Sequence, residues 1–515
     1  MIEQFSLFFQ ILWEIVSNPV NILIVIGASF LGILFGALPG LTATLGVALL
    51  TTLTYGLDVS SALLALLGLY VGAIYGGSYP SILINIPGTA AAAASAVEGY
   101  PMACRGEGGK ALGLTTTASM IGTIFGLLIL VLLAPLIASI ALQFTSFEFF
   151  LLAIFGILIS GTLTSQGNAI KGWIAGFIGL FLAMVGRDPL QFFPRFTFSY
   201  PELDSGLDIV PVLIGAFGIP QIIKVLSEKQ ALAKARQFGR IIPEVKAIFR
   251  RAKTILRSAM IGVGIGSVPG IGEDIAGWVS YGASKAKDEK KGEEPPFGEG
   301  NESGLIAAET ANNACIGGAL IPLLTLGIPG SAPAAMLLGA LMLHGVNPGP
   351  TLAVEKPEFL MEVTAVMVLA SLAMFGNGLF LAKQVVKLLQ IPAALFMPVI
   401  ALLCVLGSYA LGLSVFNLML MLPIGILAYA MISMNYPISP LVIGLILGPM
   451  ADENLRRALL TTEGNPWPMF ERPVAVLFFI AIIILVLQQT PWAKKVLGSL
   501  KNRLMGNGSS GGEAS

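Results

Sequence analysis

Four Pro-Gly pairs interrupt apolar stretches of this 515-residue chain: Pro39-Gly40, Pro87-Gly88, Pro269-Gly270 and Pro329-Gly330. Proline lacks an N–H and clashes with the preceding turn, while glycine accepts the backbone that follows. Each pair therefore ends one helix and lets another start. Thr42, Thr89 and Ser331 follow three of the pairs, placed to cap the new helices. A helix start carries free N–H groups and about half a positive charge. Two such starts facing one point would hold a carboxylate without Lys or Arg.

Oxygen-bearing side chains stand close by. Glu273 and Asp274 follow Pro269-Gly270-Ile271-Gly272 directly, and Asn85 lies two residues before Pro87. Glu309, Thr310, Asn312 and Asn313 lie on the segment leading into Gly317–Pro329. Together with carbonyls freed at a break, such groups suit Na+ coordination or a proton relay, and Na+ is the one metal ion they suggest. Substrate contacts are expected from Pro39, Gly40, Thr42, Ser78, Asn85, Pro87, Gly88, Thr89, Pro269, Gly270, Pro329, Gly330 and Ser331. Cation coupling is expected from Glu273, Asp274, Asn312 and Asn313. A helix-start pair at the interface is the alternative for the two acids, and interhelical hydrogen bonding the alternative for the two amides.

The surroundings are apolar. Hydrophobic residues make up 55% and charged residues 11%, with 29 basic against 29 acidic. A soluble domain carries about 25% charged residues, so a soluble globular protein is excluded. The even balance argues against a nucleic-acid partner. Apolar stretches of about 20 residues, the length of a bilayer crossing, recur along the chain. They predict an all-α polytopic membrane protein with ten to twelve crossings plus re-entrant half-spans. Runs such as Val474–Leu487 are continuously apolar and do not alternate as barrel strands would. The start carries Glu3 and Glu14 ahead of any Lys or Arg, so the first span is expected to stay in the mature protein. Cys104, Cys315 and Cys404 show no metal spacing and are expected to be buried small apolar residues. His344 is the single histidine, which removes H-E-x-x-H zinc chemistry, and the chain has no P-loop. The reading is of a protein that is not an enzyme.

The breaks recur in order. Gly32-x3-Gly36-x2-Pro39-Gly40 returns 230 residues later as Gly262-x3-Gly266-x2-Pro269-Gly270. Pro80-x5-Ile86-Pro87-Gly88-Thr89-Ala90 returns 242 residues later as Pro322-x5-Ile328-Pro329-Gly330-Ser331-Ala332. The charged insert Lys285–Glu302 accounts for the 12-residue difference. Residues 1–226 thus form a first transmembrane repeat with a hairpin near 80–97. A second, 258–490, has a hairpin near 322–342 and a final extra helix. Between them lies a basic linker, 227–257, and after them a basic, then disordered, tail, 491–515. The window Glu228–Arg257 has nine Lys/Arg against two Glu, which places the linker in the cytoplasm. The basic tail belongs on the same side. An odd number of crossings per repeat, with the final extra helix bringing the tail back inside, satisfies both, so the repeats are expected to be inverted and the N-terminus to lie outside.

Gly36-Ala-Leu-Pro39-Gly40-Leu-Thr42, Tyr75-Gly-Gly-Ser78-Tyr-Pro80-Ser-Ile-Leu-Ile-Asn85-Ile-Pro87-Gly88-Thr89, Gly99-Tyr-Pro101-Met102, Pro269-Gly-Ile-Gly272-Glu273 and Leu326-Gly-Ile-Pro329-Gly330 resemble the large membrane subunit of tripartite tricarboxylate transporters, the TctA family. The resemblance spans residues 20–490. It implies the permease subunit of a secondary active transporter in a bacterial cytoplasmic (inner) membrane. Such a subunit imports small organic acids, tricarboxylate- or dicarboxylate-like, with a Na+ or H+ gradient. It further implies two partners, a periplasmic solute-binding protein and a small four-helix membrane subunit, and no cofactor besides the coupling ion. The residues by themselves leave an ion-coupled exporter or a channel for small anions open.

Overall fold

A computed structural model describes residues 2–38, 40–165, 167–227, 241–242, 244–288, 295–389, 391–410 and 413–489. Pro39, most of the linker, residues 289–294 of the charged insert and the tail from 490 onward lie outside the described residues. The first half folds as α1 (Ile2–Ser17), α2 (Pro19–Ala37), α3 (Ala43–Leu53), α4 (Val59–Gly76), α5 (Ser78–Ile84), α6 (Ala93–Cys104), α7 (Gly108–Ala141), α8 (Ser146–Thr164), α9 (Ala169–Ala183) and α10 (Ile209–Ser227). The second half folds as α11 (Val245–Arg250), α12 (Ala252–Gly266), α13 (Glu273–Asp288), α14 (Glu302–Leu326), α15 (Ala332–Leu343), α16 (Leu352–Glu355), α17 (Phe359–Phe380), α18 (Ala382–Leu388), α19 (Met397–Ala410), α20 (Val415–Ser433), α21 (Ile438–Thr461) and α22 (Pro473–Leu487). Among the described residues the one sheet is a two-residue pairing of β1 (Gly186–Arg187) with β2 (Pro194–Arg195) in the α9–α10 connection.

Local chemistry sets the helix starts. Asn18, Thr42, Asp58, Asn301 and Ser414 each accept a backbone N–H with the side chain and open α2, α3, α4, α14 and α20. Thr145 and Glu148 form a capping box on α8. Among the described residues, seven helical stretches are long and apolar enough to cross a membrane, and six shorter apolar helices accompany them. The chain is an all-α multi-pass membrane protein. The helices that follow two of the breaks, α3 and α15, are short, 11 and 12 residues.

The core is organised around α4 and α14. Ala62–Gly76 and Ser303–Thr325 are buried without interruption, polar residues included. α2 packs on α4, α12 on α14, α7 on α14 and α17 on α4. The crossings are close because glycine meets backbone, the small-residue packing of membrane helices. A Cβ on Gly32 would lie 2.2 Å from the Leu69 carbonyl oxygen, and one on Gly262 2.2 Å from that of Ala311. A Cβ on Gly36 would lie 2.1 Å from the Ala73 oxygen, and one on Gly266 2.3 Å from that of Cys315. Partners on both sides are repeat equivalents. Far from this core, α20 and α22 expose Met419, Ile426, Leu477 and Ile480 on their outer faces.

One expectation shifts. Cys315 and Cys404 are buried, but Cys104 is exposed. It is the last residue of α6, beside Arg105, where the helix leaves the packed interior. Arg456 and Arg457 are ion-paired: Arg456 bonds to the fully buried Asp188 of the α9–α10 connection, and Arg457 to Glu453.

Candidate substrate and cation site

The two hairpin breaks are built alike. α5 ends at Asn85, in the left-handed region at φ 57°, and α14 ends at Gly327, at φ 71°. The Ile86 N–H reaches back to the Pro80 carbonyl at 3.3 Å, and the Ile328 N–H to that of Pro322 at 3.2 Å. Thr89 accepts from the Ala92 N–H and Ser331 from the Ala334 N–H, both at 3.3 Å, which starts the helical turn Ala90–Ala92 ahead of α6 and, in the second half, α15. A Cβ on Gly88 would lie 2.1 Å from the Gly36 carbonyl oxygen, and one on Gly330 2.1 Å from that of Gly266. The breaks differ in access. Ile86 is 39% exposed and Asn85 and Pro87 are exposed with it; Ile328 is 0% exposed, with Pro329 and Gly330 buried.

The first turn of α13 lies between them. Glu273 is buried and accepts hydrogen bonds from the Tyr70 phenol of α4 and, at 3.2 Å, from the Ser331 hydroxyl. Tyr70 and Ser331 are themselves 2.8 Å apart, closing a three-membered cluster. Gly272, at φ 68°, brings this turn against Ser331, where a Cβ would sit 2.9 Å from the serine Cβ. The neighbouring Asp274 faces the backbone N–H of Ala91, in the turn that Thr89 opens. α13 thus lies near both breaks: Glu273 bonds to Ser331, and the helix packs against the turn Ala90–Ala92.

A second polar cluster lies deeper in α14. Glu309 is 0% exposed and accepts from Ser78 at 2.6 Å, from Ser119 at 2.9 Å and from Ser95. Those serines lie on α5, α7 and α6. Among the described residues no Lys, Arg or His pairs with Glu309. One turn further on, the Asn313 amide donates to Thr123 at 3.2 Å. The Asn313 Oδ1, both polar atoms of Asn312 and the Thr310 hydroxyl are buried with no hydrogen-bond partner among the described residues.

The remaining expected residues take other places. Thr42 caps α3 through the Leu45 N–H at 3.1 Å. It also lines an open cavity of about 830 Å³ with Asn168, Lys171, Gln221 and Lys224. Gly40, at φ 96°, packs against Val225 and Gln221 of α10, and Gly270, at φ 79°, against Ser160 of α8, with Pro269 buried beside it. Asn85 is an exposed helix end. Tyr70, Ser95 and Ser119 were not expected from the sequence. Tyr70 is a lone phenol in an apolar run, and Thr115, Ser119 and Thr123 recur at i, i+4 on α7, a polar stripe that could have pointed to the second cluster.

Comparison with known proteins agrees with these motifs. The family model described as "Tripartite tricarboxylate transporter TctA family" matches residues 22–443. The "Uncharacterized 52.8 kDa protein in TAR-I ttuC' 3'region" of Agrobacterium vitis is 34% identical over 464 residues, covering 90% of this chain and 92% of that protein. The "Uncharacterized protein in TAR-II ttuC' 3'region" of the same organism is 32% identical over 228 residues, covering 44% of this chain and 93% of that protein. No solved structure matches the chain. With its motifs in place on paired helix breaks and the family match running through both halves, the chain belongs to the TctA family and is a component of a tripartite tricarboxylate transporter.

Proposed function

We propose that this chain is the permease subunit of a secondary active carrier that imports small carboxylates with a Na+ or H+ gradient. A periplasmic binding protein delivers the substrate, and a small membrane subunit completes the complex in the bacterial inner membrane. The observation that carries the reading is the cluster of Tyr70, Glu273 and Ser331, which joins the two halves beside the second hairpin break. Helix starts at broken helices bind anionic substrate groups, and carbonyls and carboxylates nearby bind the coupling ion.

Inverted repeats, spanning 1–226 and 258–490, fit the packing. The pairs Gly32–Leu69 and Gly36–Ala73 advance together, so α2 and α4 run parallel; Gly262–Ala311 and Gly266–Cys315 do the same for α12 and α14. Across the halves, Tyr70 of α4 lies by Ser331, beyond the end of α14, while Ser78 lies by Glu309, nearer its start. The equivalent helices α4 and α14 therefore pass in opposite directions. With the basic linker in the cytoplasm, the cavity at Thr42 opens to that side, because it lies at the end of α10 that leads into the linker. The exposed first hairpin break and the buried second one correspond to an inward-open carrier. Rocking that exchanged the two environments would give alternating access.

Voltage clamp and flux measurements on the reconstituted complex separate this from a channel. A carrier gives saturable uptake dependent on the binding protein; ion-rate conductance without that protein would overturn it.

A further inference from the structure

We infer that Glu309 is the centre of a Na+ site, with Ser78, Ser95, Ser119 and the Asn313 side-chain oxygen as its other ligands. This deepens the carrier reading and rests on it for the coupling role.

The argument starts from charge. Glu309 is fully buried, and all three of its partners are hydroxyls. Ser78 and Ser95 donate to Oε1 and Ser119 to Oε2, an arrangement that stabilises the ionised carboxylate. Hydroxyl donors leave the negative charge itself without a counter-ion, and an uncompensated buried charge is costly. A hydroxyl can rotate, however, and offer a lone pair instead of its proton. The same four side chains then become a set of hard oxygen ligands carrying one negative charge, which matches a monovalent cation. Ca2+ sites by contrast draw six to eight oxygens, several from carboxylates, and Mg2+ keeps strict octahedral geometry.

Asn313 is the independent observation. It lies one turn beyond Glu309 on the same face of α14, and Thr123 lies one turn beyond Ser119 on α7. The Asn313–Thr123 bond fixes the amide so that its donor is used and its acceptor, buried, is left without a partner among the described residues. An orphaned buried acceptor beside a carboxylate suits a cation.

The ligand set also says what the ion would do. Ser78 starts α5 and Ser95 lies on α6, one on each side of the Asn85–Thr89 break. A cation bridging them to α14 ties both arms of the first hairpin to the second half. Filling the site then orders the helix start that faces the substrate, so binding of the two solutes becomes cooperative.

The test uses the full chain in detergent, with NaCl exchanged for choline chloride at constant ionic strength. Na+ raises the melting temperature saturably and KCl does not. Glu309→Gln abolishes the rise. Ser95→Ala and Ser119→Ala, the milder variants to use should Glu309→Gln fail to fold, raise the half-saturating Na+ concentration about tenfold, the effect of removing one ligand of a charged group. A Na+ response unchanged in Ser95→Ala and Ser119→Ala, or equal responses to Na+, K+ and choline in the unmodified chain, would overturn the site. Uptake by the reconstituted complex separates this from the carrier reading. Uptake driven by a pH gradient and indifferent to Na+ removes the site and leaves the carrier. A Glu309-dependent Na+ response without uptake under any gradient keeps the ion ligands but removes the coupling role together with the carrier.

Discussion

Tyr70 of the first half donates its phenolic hydrogen bond to the buried carboxylate of Glu273 in the second half, and Ser331 bonds to both. Their separation in sequence makes this contact a consequence of how the halves are assembled. It places one side chain from a continuous helix, one from the start of a broken helix and one from a hairpin break at a single point. Movement of either half against the other must stretch or exchange these bonds.

Tyr70→Phe removes the phenol and keeps the ring. Glu273 is then left with Ser331 alone, and a hydrogen bond to a charged group contributes about 1.5–3 kcal/mol. Substrate uptake by the reconstituted complex should fall about tenfold or more, with the protein still eluting as a single species on size exclusion. Uptake at the level of the unmodified chain would separate Tyr70 from the transport cycle.

The hairpin glycines are expected to be intolerant for a geometric reason. Gly88→Ala and Gly330→Ala each drive a methyl into a backbone carbonyl 2.1 Å away, which no rotamer relieves. Overpacking of this kind costs about 1–3 kcal/mol. Both variants should lose thermal stability and transport. Gly376→Ala, on α17 with nothing within 4 Å of the new methyl, should be neutral or slightly stabilising. Melting curves of the three variants check the contrast.

Asp188 is fully buried at the α9–α10 connection and held by Arg456 and, at 3.5 Å, by Arg195. Arg195 also reaches Asp452 at 2.8 Å, so the group spans the two halves. Arg456→Ala leaves buried charge short of its partner, a change that costs about 3–5 kcal/mol when pairing is lost completely. The variant should unfold at a lower temperature, and Asp188→Asn in the same chain should restore part of the loss. Additive losses in the double variant would rule out the pairing.

The difference between the hairpins can be read with cysteine reagents. With Cys104 replaced by Ser, Ile86→Cys should react quickly with a polar maleimide applied to the linker side. Ile328→Cys should react slowly from both sides, in keeping with exposures of 39% and 0%. Substrate and cation together should narrow the gap. Equal reactivity under all conditions would contradict an inward-open state.

Much of this was legible in the sequence because proline and glycine act locally. The four breaks, the Thr and Ser caps and the pairing of breaks between halves depend on a few adjacent residues, and the fold builds the two hairpins alike. A third repeated motif was equally available: Ile209-x-Pro211-x2-Ile214-Gly215-x4-Pro220 returns as Ile438-x-Pro440-x2-Ile443-Gly444-x4-Pro449. Its equivalence lies in packing, since a Cβ on Gly215 would meet the Met421 carbonyl of α20 and one on Gly444 the Gly176 carbonyl of α9. Tyr70, Ser95 and Ser119 were not legible. A hydroxyl in an apolar helix can always bond to its own backbone, as Thr116 does with Leu112, and only the crossing of distant helices decides which one faces a carboxylate. Thr42 shows the reverse. Its capping role follows from its neighbours, whereas its place on the open cavity follows from α9, α10 and α20.

Accumulation of a radiolabelled tricarboxylate by proteoliposomes tests the central claim most directly. The complex is reconstituted with its partner subunits and the binding protein, and a Na+ or pH gradient is imposed. The account predicts accumulation above the outside concentration that collapses when the gradient is dissipated and is lost in Glu273→Gln. Accumulation that survives dissipation of both gradients, or that Glu273→Gln leaves intact, would contradict it.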